Sequence, residues 1–198
     1  MGVTMGPRVA ARGATASYRT RWGIGSVRVI DGVLVEVVLP RDEAGTADAG
    51  GEVPGVGTDR TGQSSSCDCV QGAGDADDAV IARGWAGQLE EYFVGLRRGW
   101  SREELRGELE GLGFSEFTRD VYEALLETRC GETVGYGELA LHAGYPRAAR
   151  AVGTAMARNP LPVVIPCHRV IRADGVLGRY GTDPSWKPRL LSFERGDV

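Results

Sequence analysis

Histidine is scarce in this chain: its 198 residues hold two. Four cysteines are present, Cys67, Cys69, Cys130 and Cys167, and no two form a CxxC pair. A four-ligand zinc site would need widely scattered residues, so no metal is expected. Cys67-Asp68-Cys69 lies in a polar Gly/Ser tract and reads as incidental. Long apolar runs are also missing. None approaches the roughly 20 residues of a membrane span, so no membrane partner is expected. The first thirty residues carry five arginines and no acid. No apolar h-region follows them, so they read as a mobile N-terminal arm rather than a secretory signal. Unpaired thiols fit a reducing cytoplasm. The net charge of −4 excludes a uniformly basic nucleic-acid binder. The charge is uneven, however. Residues 115–198 sum to +1 and residues 1–114 to −5, so local placement decides whether DNA can bind.

What is present falls into two parts. "SVRVIDGVLVEVVLP" alternates apolar and polar residues on both sides of Asp31-Gly32. That dipeptide favours a tight turn, which predicts two antiparallel strands. Residues 41–79 are dominated by Gly, Ala, Asp, Ser and Thr and read as a long flexible loop. From about Asp78 the period becomes helical, with Ile81, Trp85, Leu89, Phe93 and Leu96 on one stripe. Leu105, Leu109 and Leu112 predict a second helix, a connector over 96–114. Ser115 is a candidate N-cap for a third, with Val121, Ala124, Leu125 and Thr128 on its apolar face. The fold class expected is a small α/β domain, a sheet plus a helix, over 1–95. A mainly helical domain over 115–198 follows it.

"GYGELALHAGYPRAARAVGTAMARNP" then predicts a short helix over Leu139–Ala143, a Gly144-Tyr145-Pro146 turn, and a helix over Arg147–Ala157. Together they make a helix-turn-helix. The second helix carries small residues, among them Ala148, Ala151, Gly153 and Thr154. Arg147, Arg150 and Arg158 project between them. Small residues let a backbone approach another surface closely, and arginines meet phosphates or bases. A tightly packed core helix with solvated arginines would show the same pattern.

"LPVVIPCHRVIR", Leu161–Arg172, reads as a buried strand interrupted by Cys167 and His168. A buried cysteine is ordinarily a small inert core residue. A thiol becomes a nucleophile as thiolate, and a nearby base supplies that. Neighbours along an extended chain point apart, so His168 would need a bridging water or a turn to reach Cys167. A third group must orient the imidazole; Glu194, in "LLSFERG", is the best acid in the C-terminal tail, although spacing alone does not select it.

These residues carry a resemblance. "NPLPVVIPCHRVI" resembles the active-site signature of the O6-alkylguanine-DNA alkyltransferases, the methylated-DNA–protein-cysteine methyltransferases. The resemblance runs from about Phe117 to Gly196, through "GETVGYGELA", "AGYPRAARAVGTAMARNP", "GVLGRYG" and "KPRLLSFERG". Over residues 1–114 it is weak, although "WAGQLEEYFVG" looks like the family's linking helix. It implies that Cys167 takes the alkyl group from guanine O6 in one displacement, once per molecule and without a cofactor. It further implies that His168 removes the thiol proton through a water and that Glu194 orients His168. Tyr136 would donate to the ring nitrogen of the base, with Lys187 assisting, and Asn159 would tie the turn beside Cys167. The carbonyls of Cys167 and Val170 would read the exocyclic amine. Tyr180 would wall the alkyl pocket, together with Gly181, Pro162 and Met156.

O6 of a paired guanine faces into the duplex, so the base must be flipped out. By resemblance, a monomer binds double-stranded DNA through the minor groove, and Arg150 fills the gap in the stack. Two departures stand out. Gly135 and Gly181 occupy positions where members of the family have serine. Three rival readings are weaker. An alkyltransferase-like damage binder would lack Cys167. A helix-turn-helix regulator would leave Cys167 and His168 unused. A Cys-His hydrolase would need the histidine directly opposite the thiol.

Overall fold

A computed structural model describes residues 13–41, 76–178, 180 and 183–197. Three antiparallel strands open it: β1 (Ala14–Thr20), β2 (Gly23–Ile30) and β3 (Val33–Arg41), in the order β1-β2-β3. The Asp31-Gly32 hairpin forms as expected, with positive φ at both residues (51° and 78°). Such a pair matches the right-handed twist of the flanking strands. The first strand was not anticipated. Its inward residues Ala14, Ala16 and Tyr18 are buried, so residues 14–20 belong to the sheet and not to a mobile arm. Two of the three are alanines, which carry little apolar signal. Tyr18 lies across Gly25 on β2, where a Cβ would collide with its ring. Its hydroxyl donates to Val38 O at 2.9 Å, clamping all three strands.

Helix α1 (Ala76–Phe93) covers one face of the sheet through Ala82, Trp85, Leu89, Tyr92 and Phe93. Buried Asp78, in its first turn, accepts from the amides of Asp31 and Gly32 at 3.2 and 2.7 Å. The acid thus pins the hairpin to the helix. Leu96 is not on the stripe: the helix ends at Phe93, and Leu96 is 81% exposed in the turn beyond it. Arg41 closes β3 and Ala76–Ala79 open α1, so the expected 41–79 loop is shorter at both ends. Its remainder, 42–75, lies outside the described residues, as do Cys67 and Cys69. The connector expected over 96–114 contains one short helix, α2 (Arg106–Gly111).

Helix α3 (Glu116–Leu126) starts at Ser115, whose Oγ accepts from the Thr118 amide at 3.3 Å. Thr128 lies past its end. The two-residue strand β4 (Val134–Gly135) leads directly into α4 (Tyr136–His142), and a turn leads to α5 (Ala149–Ala157). The second helix of the pair therefore begins two residues later than expected. Arg147 sits in the turn at φ 73°, a conformation that helical residues do not adopt. Tyr145 anchors this turn by donating to Asp120 of α3 at 2.7 Å.

Leu161–Ile165 is not a strand. Val163 has φ 76°, and the Ile165 amide donates to Leu161 O at 2.8 Å, closing a tight turn. The residues are still buried; burial without periodicity does not distinguish strand from turn. Pro166, at φ −78° and ψ 57°, has the Cys167 amide bonded back to Ile165 O at 2.7 Å. That is an inverse γ-turn, and it reverses the chain into a single 3₁₀ turn over Cys167–Arg169. Strand β5 (Val170–Ile171) then pairs in parallel with β4, Val134 opposite Val170. The chain ends in α6 (Trp186–Arg195), stopped by Gly196 at φ 81°.

One continuous apolar cluster runs from β1 to α6. Trp22, at the β1–β2 turn, packs edge-on against Phe93, Trp186 and Phe193. The Val37 amide donates to Pro160 O at 2.9 Å. The sheet is thus fastened to the helical half by both rings and backbone. Among the described residues no helix is long and apolar enough to cross a membrane.

Candidate active site

The 3₁₀ turn places Cys167 at the wall of a cavity of about 1090 Å³. On the helical side Tyr136, Gly153, Met156, Asn159, Pro162 and Tyr180 line it. On the other side stand β3 and Trp22. The β4–β5 ladder explains why Tyr136 is there: it follows Gly135, which pairs with Ile171, just beyond the Cys167 turn.

Asn159 organises the approach to the thiol. Its Oδ1 accepts from the Leu161 amide at 2.9 Å, and its Nδ2 donates to Ile165 O at 2.9 Å. The same Nδ2 donates to Cys167 Sγ at 3.1 Å. Burial pushes the Cys167 thiol above its ordinary value. The Asn159 bond, the Tyr180 hydroxyl and the Lys187 charge oppose that shift without cancelling it. At rest Cys167 is therefore a thiol, and a base is needed to activate it.

His168 has no hydrogen bond to Cys167. Its Nε2 meets Glu194 Oε1 at 2.9 Å, and both side chains are fully buried. Burial holds the imidazole below its ordinary value against the opposing pull of Glu194. Burial alone would raise the Glu194 carboxyl, but hydrogen bonds from His168 and Arg169 and the Arg169 charge bring it well below the usual range. The carboxylate accepts, so Nε2 carries the proton and Nδ1 is left with a free lone pair. That Nδ1 is buried and meets no partner among the described residues. The Tyr180 hydroxyl is likewise buried, beside the Cys167 sulfur, and its ring stands edge-on to His168.

Sequence reasoning assigned no role to Arg169, yet it is the main support of Glu194. Its Nε donates to Oε2 at 3.0 Å and its Nη2 to Oε1 at 2.8 Å, a bidentate fork. Its Nη1 donates to Thr128 O at 2.6 Å. The Gly131 amide gives Oε2 a further bond at 2.8 Å, and the Tyr92 hydroxyl gives Oε1 one at 2.7 Å. A signal for Arg169 was legible: a guanidinium inside an apolar run must find a carboxylate.

Lys187, the only lysine of the chain, is buried and stands behind the cavity wall. Its Nζ donates to Val170 O at 2.6 Å, so one lone pair of that carbonyl is already engaged. Gly181 lies outside the described residues. On α5, Arg150, Ala151, Thr154 and Arg158 are exposed along one side, with Arg147 exposed in the preceding turn. Ala148 and Gly153 are half-buried. None of the three arginines has an ion pair among the described residues. No group of His, Cys, Asp and Glu among the described residues could hold a metal.

Comparison with known proteins identifies relatives of the chain. Residues 116–196 match the family model for the 6-O-methylguanine DNA methyltransferase DNA binding domain. The chain is 45% identical over 111 residues to the methylated-DNA–protein-cysteine methyltransferase of Mycobacterium leprae, covering 56% of this chain and 64% of that protein. It is 45% identical over 117 residues to the protein of that name from Mycolicibacterium paratuberculosis, covering 57% and 67%. The aligned part thus spans about two-thirds of the length of these relatives. The structure matches Mycobacterium tuberculosis O6-methylguanine methyltransferase with a TM-score of 0.59 and 26% identity, over 93% of this chain and 94% of that one. A DNA complex of the Mycobacterium tuberculosis protein matches with a TM-score of 0.60 and 28% identity, covering 93% and 94%. With 45% identity over two-thirds of a relative's length and a shared overall fold, the chain belongs to the methylated-DNA–protein-cysteine methyltransferase family.

Proposed function

We propose that the protein repairs alkylated DNA by moving an alkyl group from guanine O6 to Cys167 Sγ, once per molecule. The observation that carries this reading is the split of roles on His168. Glu194 occupies Nε2, and the buried Nδ1 has no partner among the described residues and keeps its lone pair. A water between Nδ1 and Sγ takes the thiol proton to the imidazole. The thiolate attacks the alkyl carbon, the C–S bond forms, and the C–O bond to guanine breaks. The electron pair of that bond stays on the base, where the Tyr136 hydroxyl supplies a proton at the ring nitrogen. Stabilising charge that develops on a leaving group is a large share of such catalysis. Burial raises the Tyr136 hydroxyl, and a negative charge at Cys167 acts in the same direction; it therefore stays protonated until the base needs it. Lys187 lends its charge from behind Val170. The thioether product is inert to hydrolysis, so each molecule reacts once.

Double-stranded DNA is the partner. The exposed face of α5 enters the minor groove, with Arg147 and Arg158 at phosphates and Arg150 filling the stack where the base leaves. Its alanines and Gly153 suit a narrow groove. The protein acts as a monomer. Intact-protein mass spectrometry after mixing with an O6-methylguanine oligonucleotide tests the reading. A gain of one methyl, mapped to Cys167 and absent in Cys167→Ser, is expected. An unchanged mass in the parent protein, or the same gain in Cys167→Ser, sinks it.

A further inference from the structure

Glu194 holds His168 from α6, but one of its hydrogen bonds comes from far away in the chain. The Tyr92 hydroxyl, 102 residues distant on α1, donates to the same Oε1 that receives His168 Nε2. Tyr92 is 1% exposed, and Trp100 and Phe93 pack on its ring at centroid distances of 5.8 and 5.3 Å. Its geometry is therefore held by packing rather than by the bond alone. We propose that Tyr92 is a positioning residue for the alkyl transfer, through which the N-terminal half sets how Glu194 holds His168. This rests on the alkyl-transfer reading of the site.

The chemistry follows from sharing one oxygen. Oε1 accepts from His168, Arg169 and Tyr92. Each donor withdraws charge from that oxygen and weakens its pull on the other two. A carboxylate stripped of the Tyr92 bond attracts the His168 proton more strongly and favours imidazolium over imidazole. It also has one contact fewer to fix its rotamer, and so the direction of Nδ1. Tyr92 thus does two things: it aims the base, and it keeps the base neutral. Burial already holds the Tyr92 phenol well above its ordinary value, with Glu194 adding to the effect, so it remains a donor through the physiological range. The other ionisable groups around the pair are Arg169 on the 3₁₀ turn, Lys187 on α6, Cys167 and Tyr180 at the cavity, and Cys130 with Arg98 beside Glu194. All of them stay chemically intact when only the Tyr92 hydroxyl is removed.

Tyr92→Phe removes that oxygen and leaves the ring stack in place. Tyr18→Phe is the matched control, because it deletes another buried hydroxyl bonded to the N-terminal sheet, away from Glu194. Transfer rates to Cys167 from O6-methylguanine DNA are measured together with imidazole NMR titrations. The chain has two histidines, and exposed His142 serves as internal reference. Tyr92→Phe is expected to slow transfer about threefold to tenfold and to move the His168 midpoint to higher pH. Where acid unfolding comes first, the Nε2-bound proton shift at neutral pH replaces the midpoint as readout. Tyr18→Phe is expected to change neither reading, whatever it does to thermal stability. An unchanged rate in Tyr92→Phe overturns the proposal, whether or not the midpoint moves. A slower rate with an unmoved His168 signal overturns it too, since lost stability alone explains that result. A parent protein that takes up no methyl defeats the alkyl-transfer reading itself, while the NMR comparison still decides whether Tyr92 acts on His168.

Discussion

Arginine serves opposite ends in two neighbouring regions of the helical half. Arg147, Arg150 and Arg158 stand on or beside α5, exposed and without an ion pair among the described residues. Arg169 is 4% exposed and gives its guanidinium to Glu194 and to the Thr128 carbonyl. The difference is one of desolvation. An exposed guanidinium keeps its water and contributes little to stability, so it is available to a polyanion. A buried one has lost its water and must be matched by the protein. On the proposed reading, the first kind addresses the substrate, and the second holds the machinery that acts on it.

Removing the buried partner should have the largest effect on the fold. Arg169→Met leaves the Glu194 carboxylate buried with fewer donors. Breaking a buried pair from one side costs about 3–5 kcal/mol, so urea midpoints should drop sharply. A shift as small as that of a surface variant would mean that the contrast between the two sets of arginines is wrong.

Acid should act next, through the same cluster. Glu194 is held below its ordinary 4.5 and His168 below its ordinary 6.5. In both cases the unfolded chain binds the proton more readily than the folded one, so stability falls as pH falls. The His168 contribution declines below pH 6.5, and the Glu194 contribution below 4.5, continuing down to the folded value. Denaturant titrations across this range should show the slope, and Glu194→Gln should lose its more acidic part. For the same reason the transfer rate should stay level through pH 6.5 and fall only at lower pH. A rate that halves at 6.5 would show that the imidazole is not held neutral.

Arg150→Ala sharpens the comparison from the other side. Its stability change should stay within about 0.5 kcal/mol. Transfer from duplex DNA should nevertheless fall more than reaction with the free O6-benzylguanine base. Equal losses with both substrates would reject the flipping role. Arg147→Ala should give the smallest effect, a weaker salt dependence of DNA binding at an unchanged melting temperature. A large fall in melting temperature would instead tie its φ of 73° to the fold.

The elements that read clearly from the sequence were those with strong local chemistry. Asp31-Gly32 named its own turn, Ser115 its own cap, and the helical periods of α1 and α3 their own buried faces. The site showed itself through the PCHR run; Glu194 was named through the family resemblance, since spacing alone would not have selected it. The misreadings share a cause. Leu161–Ile165 is apolar, but its turn depends on Asn159 and on a positive φ at Val163, neither of which hydrophobicity encodes. β1 was overlooked because two of its three inward residues are small. Arg169 and Tyr92 were overlooked because each meets Glu194 only in the folded chain, one from the 3₁₀ turn and the other from α1.

By itself the sequence singled out Cys167, its histidine neighbour, the helix-turn-helix and the family to which the chain belongs. Those features rest on residue type and spacing over short stretches, where local sterics and hydrogen bonding suffice. Only the tertiary structure decided that His168 uses Nε2 for Glu194 and keeps Nδ1 free. Only it decided that Arg169 and Tyr92 share that carboxylate, and that the cavity beside Cys167 has the N-terminal sheet for its far wall. Each of these depends on groups dozens of residues apart meeting in a space without water, where an unmatched charge is too costly to leave and packing determines which partner arrives.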